Sequence, residues 1–277
     1  MSAYFRPSTI EDATALLQAE PGLRVLAGGT DLYPAAGVDA PRLPLLDLAG
    51  IDALRGVTVG PEGLRIGALV SWTDLQRAGL GPEYAALVQA GREVGSPQIQ
   101  NAATVVGNIC NASPAADGTV ALMALDAQVQ IAGPAGERQI ALAEFVTGVR
   151  QVALAPGEIV TALHLPPAGG RSAFLKLGAR KYLVISIVMV AARLSLDADG
   201  RVAEATLAVG ACSPVARRLP RLEAALIGLA PDQLAAAVTP ARVEGLAPIS
   251  DVRAEAGYRA DAVPVLLRRA LTACLEG

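Results

Sequence analysis

The chain has 277 residues, of which 52% are hydrophobic and 18% are charged, so it can bury a large core. A net charge of -3 supplies no basic field for a phosphate backbone, and we expect no nucleic-acid partner. Three scattered cysteines and one histidine are too few for a zinc site or an iron–sulfur cluster of its own. The chemistry of this chain must therefore come from the single histidine, from backbone groups or from a bound molecule.

The sequence also predicts the compartment of the protein. Glu11 and Asp12 stand where a secretory signal needs a basic start and an apolar run. The longest apolar stretch, residues 183–192, is well short of the roughly 18 residues of a membrane span. Scattered, unpaired cysteines fit a reducing environment. We therefore expect a cytoplasmic protein with no membrane span.

Short helices and strands are predicted to alternate along the first two thirds of the chain. Capping-box patterns that begin at Ser8 and Ser71, and one amphipathic stretch, predict helices. Their expected ranges are 9–19, from 75 onward and 83–94, with a later helix over 119–125. Apolar and β-branched runs predict strands over 23–27, 45–48, 56–59, 64–68, 128–131, 138–141 and 159–165. Residues 95–118 are expected to be a loop, because small and amide side chains dominate them.

The pattern changes after a linker predicted at residues 168–170. Beyond it, apolar runs predict a small antiparallel sheet over 174–177, 185–196 and 202–209. Helices are expected next, over 216–226, 231–237 and 258–275. The last third of the chain should therefore form a separate α+β layer.

A pair of glycines directly follows the first buried strand. Gly28 and Gly29 are succeeded by Thr30 and Asp31. The N–H groups of such a turn can bind an anion, and the missing Cβ atoms let a pyrophosphate lie against the backbone. The spacing matches neither GxGxxG nor GxxxxGK[ST], so neither of those nucleotide-binding motifs applies. The alternative is an ordinary turn in which Thr30 or Asp31 caps the next helix.

A second polar segment lies within the predicted loop. Thr104, Asn108 and Ser113 offer hydrogen bonds there, and Asp117 could accept hydrogen bonds from ribityl or ribose hydroxyls. The alternative is a long structural connection in which Asp117 caps the next helix.

Three segments, taken in order and at these separations, resemble one family. They are AGGTDL at 27–32, ASPAAD at 112–117 and the strand pair around FLKLGAR and ISIV. Together they resemble the FAD-binding subunit of the molybdenum hydroxylases, such as xanthine dehydrogenase, aerobic carbon monoxide dehydrogenase and 4-hydroxybenzoyl-CoA reductase. The resemblance covers essentially the whole chain. It implies an α+β fold in which residues 1–169 form two FAD-clasping subdomains of the vanillyl-alcohol-oxidase (PCMH) type, divided near residue 55, and residues 170–277 form a small α+β domain.

The same resemblance implies which residues contact FAD. The first motif would bind the pyrophosphate through Ala27, Gly28, Gly29, Thr30, Asp31 and Leu32. The second would bind further phosphate and ribityl groups through Thr104, Gly107, Asn108, Ser113 and Asp117. An apolar strand residue, Val160 or a neighbour, and Lys176 would lie near the flavin. The alternative for Lys176 is a surface or interdomain ion pair.

Two departures from the family pattern are informative. Val106 stands where the family usually has the first of two glycines, so its Cβ should cost some contact with the phosphate. The cysteine-rich insertion of the benzoyl-CoA-reductase type has no counterpart among the three cysteines, which argues against that branch.

The other chemically distinctive residues are expected to be structural. His164 alternates out of an apolar strand, Cys110 is interpreted as a small buried hydrophobe, and Trp72 is assigned to the core. Residues 180–182 either flank the entry of a nicotinamide or quinone or form a polar turn.

The first functional hypothesis is an electron-transfer subunit that passes electrons from [2Fe-2S] clusters through FAD to an external acceptor such as NAD or a quinone. A large molybdopterin-binding subunit and a small [2Fe-2S] subunit would be its partners, in a dimer of heterotrimers. A second hypothesis is a free-standing FAD-dependent oxidoreductase with its own small substrate. A third is a nucleotide-binding scaffold that has lost flavin.

Overall fold

A computed structural model of the chain describes residues 3–276 and shows an α+β fold. The first part is a small parallel sheet in the order β1-β3-β2, flanked by two helices. Its elements are β1 (Tyr4–Phe5), α1 (Ile10–Ala19), β2 (Arg24–Leu26), α2 (Leu32–Ala36) and β3 (Leu45–Asp47).

The start of α1 differs from the predicted capping box by one residue. The N-cap is Thr9, whose hydroxyl accepts a hydrogen bond from the Asp12 N–H at 3.1 Å. Ser8 and Thr9 are both good N-cap residues, and either can be followed by an acidic residue three positions on. The local pattern therefore could not distinguish them.

The second part of the chain is built on a five-stranded antiparallel sheet in the order β4-β5-β10-β6-β7. Its strands are β4 (Val57–Gly60), β5 (Gly63–Gly67), β6 (Gln128–Gly133), β7 (Gly136–Ala141) and β10 (Ile159–Leu165), and β8 (Val146–Gly148) pairs separately with β9 (Gln151–Val152). Its helices are α3 (Trp72–Arg77), α4 (Ala85–Glu93), α5 (Pro97–Ala102), α6 (Val105–Cys110), α7 (Asp117–Ala124) and α8 (Leu142–Phe145). The central strand is β10, whose predicted bounds are confirmed.

The expectation of a loop over residues 95–118 is wrong, because α5 and α6 occupy half of this segment. Each begins at a hydroxyl N-cap: Ser96 accepts from the Ile99 N–H and Thr104 accepts from the Gly107 N–H. Two helices of six residues are too short to show a clear apolar period, so composition dominated the prediction. The two N-cap residues, Ser96 and Thr104, were the local signals that could have predicted these helices.

The last part is a four-stranded antiparallel sheet, in the order β11-β12-β13-β14, covered by helices. Its elements are β11 (Arg171–Leu177), β12 (Val188–Leu196), β13 (Val202–Gly210), β14 (Arg217–Arg218), α9 (Pro220–Leu226), α10 (Leu234–Ala237) and α11 (Ala256–Leu275). The helix predicted over 216–226 begins only at Pro220, since β14 precedes it. Pro220 suits a first helical turn, where its missing N–H costs nothing.

Two hydrophobic cores stabilise the molecule, and the C-terminal sheet belongs to both. One face of this sheet packs on α11, and the other packs on α4 and α7. Ser172 accepts a hydrogen bond from the Ala86 N–H at 2.9 Å, and the Gln89 side chain accepts one from the Phe174 N–H at 2.7 Å. These bonds hold β11 against α4. No helix among residues 3–276 is long and apolar enough to cross a membrane.

Candidate functional site

The glycine turn lies between β2 and α2 and needs both of its glycines. A Cβ on Gly28 would lie 2.1 Å from the Ala102 carbonyl oxygen, which is far inside van der Waals contact. Gly29 has φ +72°, a conformation that favours glycine, and a Cβ there would meet the Tyr33 ring. The turn therefore lies directly against the junction of α5 and α6.

Several backbone N–H groups of this turn are not used in backbone hydrogen bonds. In the described part of the chain, the N–H groups of Gly28, Thr30 and Asp31 donate to no other backbone atom. Asp31 is the N-cap of α2, but its side chain makes no capping hydrogen bond. The turn is therefore not explained by helix capping, and it presents free donors of the kind that bind phosphate oxygens.

The second motif forms the facing wall of the same cleft. Thr104 caps α6, and the backbone bond from Val105 N–H to Val70 O anchors the start of this helix. The Oδ1 atom of Asn108 is buried and has no hydrogen-bond partner among the described residues. A buried acceptor without a partner is costly, and a ligand hydroxyl or N–H would satisfy it.

The two walls enclose a cavity of about 520 Å³. This volume lies within the usual range of small-molecule sites. The structure brings ten of the sequence-predicted residues to its lining: Ala27, Gly28, Gly29, Thr30, Asp31, Leu32, Thr104, Gly107, Asn108 and Val160.

The predicted residues Ser113, Asp117 and Lys176 do not line this cleft. The Ser113 hydroxyl accepts from the Ala115 N–H at 3.3 Å, within its own turn. The Lys176 ammonium donates to one oxygen of Asp117 at 2.7 Å, and the Ser186 hydroxyl donates to the other at 2.6 Å. Asp117 and Lys176 thus form a buried ion pair between α7 and β11, and Asp117 is not the N-cap of α7.

Burial acts on the Asp117 carboxyl more strongly than its partners do. Desolvation raises its pKa above the ordinary value, whereas the Lys176 charge and the hydrogen bonds from Lys176 and Ser186 oppose this rise. The pair lies close behind the cleft wall, since a Cβ on Gly118 would lie 2.8 Å from the unpartnered Asn108 oxygen.

Val106 causes no visible distortion of the second motif. It lies in the first turn of α6, is 4% exposed and lines the cleft with its side chain packed in the main core. Its predicted cost for phosphate contact stays a prediction.

The other distinctive residues have structural surroundings. His164 shares a 2.9 Å hydrogen bond with Gln130, and burial, together with the Arg65 charge, lowers its pKa. Cys110 lines the cleft, but burial raises the pKa of its thiol to about 12, so it is not a thiolate at neutral pH. Trp72 is fully buried in the core, as expected.

Several residues that line the cleft were not singled out from the sequence. Arg24 and Val25 precede the glycine turn on β2, and extending the motif upstream would have found them. Others come from separate segments and carry no local signal: Val94, Ile99, Asn111, Leu154, Glu158 and Ile159. Most of these are apolar, so one wall of the cleft suits a flat ring system.

The cleft therefore fits FAD on its own geometry. Free N–H donors at a turn without Cβ atoms suit a pyrophosphate, an unpartnered buried acceptor suits a polar group of the cofactor, and apolar residues suit its rings. No group of three or more potential metal ligands occurs within residues 3–276.

Comparison with known proteins agrees with this geometry. Residues 1–168 match the family described as "FAD binding domain in molybdopterin dehydrogenase", and residues 173–274 match "CO dehydrogenase flavoprotein C-terminal domain". The xanthine dehydrogenase FAD-binding subunit of Escherichia coli O157:H7 is 31% identical over 281 residues, which cover 98% of this chain and 95% of that protein. The carbon monoxide dehydrogenase medium chain of Afipia carboxidovorans is 33% identical over 280 residues, 97% of this chain and 94% of that one.

Solved structures show the same fold. The cyanide-inactivated form of Cu,Mo-CO dehydrogenase matches with a TM-score of 0.88 and 29% identity, covering 98% of this chain and 96% of the other. Carbon monoxide dehydrogenase from Hydrogenophaga pseudoflava matches with a TM-score of 0.89 and 26% identity over 99% and 97% of the two chains. This protein belongs to the family of FAD-binding subunits of the molybdopterin dehydrogenases, and it is an oxidoreductase subunit.

Proposed function

We propose that this chain binds FAD and that electrons pass from the [2Fe-2S] clusters of a partner subunit through this FAD to an external acceptor. The observation that carries the proposal is the cleft between the glycine turn and α6, where free backbone donors face an unpartnered acceptor. FAD supplies the electron-transfer chemistry when bound, and the protein supplies its binding and orientation.

The glycine turn would hold the pyrophosphate. The N–H groups of Gly28, Thr30 and Asp31 are its donors, and the absence of Cβ atoms lets the phosphates approach the backbone. Opposite them, Asn108 would accept a hydrogen bond from a hydroxyl or N–H of the cofactor.

Val160 and its neighbours on β10 would contact the rings, because they contribute the apolar part of the lining. Ser113, Asp117 and Lys176 stay predictions as cofactor contacts. The Lys176 ammonium donates hydrogen bonds to Asp117 and, at 3.5 Å, to the Glu93 carbonyl. If it contacts the cofactor, it would do so from this fixed position.

A free-standing oxidoreductase is less well supported by the cleft. Such an enzyme needs a poised acid or base over the flavin. Glu158 lines the cleft, but Arg138 engages both of its carboxylate oxygens. His164 bonds to Gln130 and is not among the lining residues.

The partner subunits are proposed by analogy with the relatives of this chain. The relatives include medium chains or subunits of carbon monoxide dehydrogenase, glyceraldehyde dehydrogenase and nicotine 6-hydroxylase. By analogy, we assign to this chain a large molybdopterin-binding subunit and a small [2Fe-2S] subunit, in a dimer of heterotrimers. NAD or a quinone is the proposed acceptor, and the free cysteines suit a cytoplasmic location.

Purification of the chain alone and with its partners tests the proposal. We expect a bound flavin spectrum, negligible turnover of small substrates by the isolated chain, and co-elution with both partner subunits after co-expression. Turnover by the isolated chain would favour the free-standing enzyme instead. A colourless chain that takes up no added FAD would contradict both.

A further inference from the structure

The turn of residues 111–114 follows α6 and begins at the wall of the cleft. Asn111 is the C-cap of α6 and lines the cleft. The next residue, Ala112, is buried and has φ +46°. This left-handed conformation is unfavourable for a residue that carries a Cβ. Contacts with other segments must therefore hold the turn in place.

Two further left-handed residues supply such contacts. Arg150, at the tip of the β8–β9 hairpin, has φ +58°, and its N–H donates to the Ala112 carbonyl at 2.9 Å. Ala211, directly after β13, has φ +60°, and its N–H donates to the Pro114 carbonyl at 3.0 Å. Residues 3–276 contain five non-glycine residues with positive φ, and three of them meet at this turn. Backbone strain persists only where the surrounding structure fixes it, and it is concentrated at functional sites.

The side chain of Arg150 fixes the orientation of Asn111. One guanidinium nitrogen donates to the Asn111 backbone carbonyl at 3.2 Å and also to the Oδ1 atom of the same residue. A guanidinium has donors and no acceptor, so the carboxamide must turn its oxygen toward Arg150 and its NH₂ group away. That NH₂ group donates to no residue in the described part of the chain. Since Asn111 lines the cleft, this donor is left for an acceptor in the cleft.

Arg150 itself is exposed and is not among the residues that line the cleft. The hairpin that carries it is anchored at its base, where the Ala153 N–H donates to the carbonyl of the fully buried Phe145 at 2.8 Å. The position of the guanidinium is thus set by the core and by the backbone bond to Ala112. Arg150 can therefore act on a bound molecule only through Asn111.

We propose that Arg150 is a positioning residue for the cofactor: it holds the carboxamide of Asn111 so that the NH₂ group donates to an acceptor atom of FAD. This inference rests on the proposed function, since it needs FAD in the cleft. It adds one directed side-chain donor to the backbone N–H groups of the glycine turn, and it assigns a role to the β8–β9 hairpin.

A double-mutant cycle on FAD affinity tests the proposal, with fluorescence titration of FAD into the full-length, flavin-free chain. Asn111→Ala removes the donor and should raise Kd about tenfold, as expected for the loss of one hydrogen bond. Arg150→Met keeps the donor but frees its orientation, and it should raise Kd roughly threefold. In the double variant, Arg150→Met should add nothing to the effect of Asn111→Ala. Arg150→Lys retains one charged donor and should keep part of the affinity.

Arg269→Met is the matched control, because Arg269 is exposed on α11 and is not among the residues that line the cleft. Its Kd for FAD should equal that of the wild type. Urea unfolding of the flavin-free variants separates affinity from folding. A merely structural role of Arg150 would lower the free energy of unfolding and would weaken FAD binding equally with and without the Asn111 side chain.

Additive effects of the two changes on Kd would therefore overturn the proposal, because Arg150 would then act by its charge or through the fold. An unchanged Kd in Arg150→Met, in a chain whose wild type binds FAD, would overturn this inference alone. A wild type that takes up no FAD would contradict the proposed function and this inference with it.

Discussion

Gly28 is the residue on which the shape of the cleft depends most directly. Its Cα faces the Ala102 carbonyl so closely that a Cβ would lie 2.1 Å from the oxygen. The contact joins the glycine turn to the end of α5, two residues before Thr104 and the second motif. A change of one atom here must therefore move one wall against the other.

Gly28→Ala should lower the affinity for FAD. Overpacking of this kind costs about 1–3 kcal/mol, which corresponds to a roughly five- to 150-fold weaker Kd. Fluorescence titration of the flavin measures it. Gly22→Ala is the control, because no atom lies within 4 Å of a Cβ there. Equal Kd values for the two variants would show that the turn does not contact FAD.

The buried pair of Lys176 and Asp117 is a second feature at this scale. Removing one partner of a buried ion pair costs about 3–5 kcal/mol, because the other charge is left unpaired. Lys176→Met and Asp117→Asn should each destabilise the chain by roughly this amount in urea unfolding. The double variant should be more stable than the sum of the single changes implies.

Lys181→Met is the matched control for the ion pair. It removes the same charge from an exposed position, and its effect should stay within about 0.5 kcal/mol. If the double variant loses as much free energy of unfolding as Lys176→Met and Asp117→Asn lose together, the two side chains are not coupled and the assigned ion pair is contradicted.

At the scale of elements, Glu158 joins three segments at the start of β10. Its carboxylate accepts hydrogen bonds from Arg138 on β7 and from the Ala155 N–H. The hydrogen bond from Arg138 holds its pKa below the ordinary value of 4.5, and burial opposes this effect. Because Glu158 also lines the cleft, its ionisation affects the site as well as the sheet.

A carboxyl group whose pKa is lowered by folding contributes stability above its unfolded pKa and loses it as the pH falls. The wild type should therefore lose stability between about pH 5 and pH 3 more steeply than Glu158→Gln does. Urea unfolding at a series of pH values measures both curves. Glu62→Gln, at the exposed turn of the β4–β5 hairpin, should keep the wild-type slope, and identical slopes for all three proteins would refute the role of Glu158.

At the scale of the molecule, the C-terminal sheet ties both cores together. Phe174, Met189 and Ala208 pack in the core of the FAD-binding part, whereas Val190 and Leu207 pack in the C-terminal core. Two hydrogen bonds also join α4 to β11: the Ala86 N–H donates to Ser172, and the Phe174 N–H donates to Gln89. The two parts are therefore expected to unfold together.

Calorimetry should show a single heat transition that FAD shifts upward. At a free FAD concentration of 100 times Kd, ligand binding adds about 2.7 kcal/mol, which corresponds to a shift of roughly 5 °C for a chain of this size. Two transitions, with only the first moved by FAD, would show that the parts unfold independently.

Much of the fold was predictable because its strands and hairpins have local causes. The bounds of β10 follow from one apolar run, and the hairpins follow from turns at Gly60 to Gly63 and Gly133 to Gly136. The helices α5 and α6 were missed because each has only six residues and shows no clear apolar period. For the candidate site, the glycine turn was recognised from its backbone chemistry and Thr104 was singled out as a hydrogen-bonding residue, whereas its capping of α6 was not predicted.

The sequence by itself determined the class of fold, the family resemblance and the two motifs, because each depends on residues that are close together in the chain. Only the tertiary structure decided which residues meet. It paired Lys176 with Asp117 behind the cleft wall, outside the lining, and it brought Val94, Ile99 and Glu158 into the lining. The reason is physical: burial, ion pairing and the facing of two walls depend on strands and helices that are distant in sequence, and no local pattern encodes those distances.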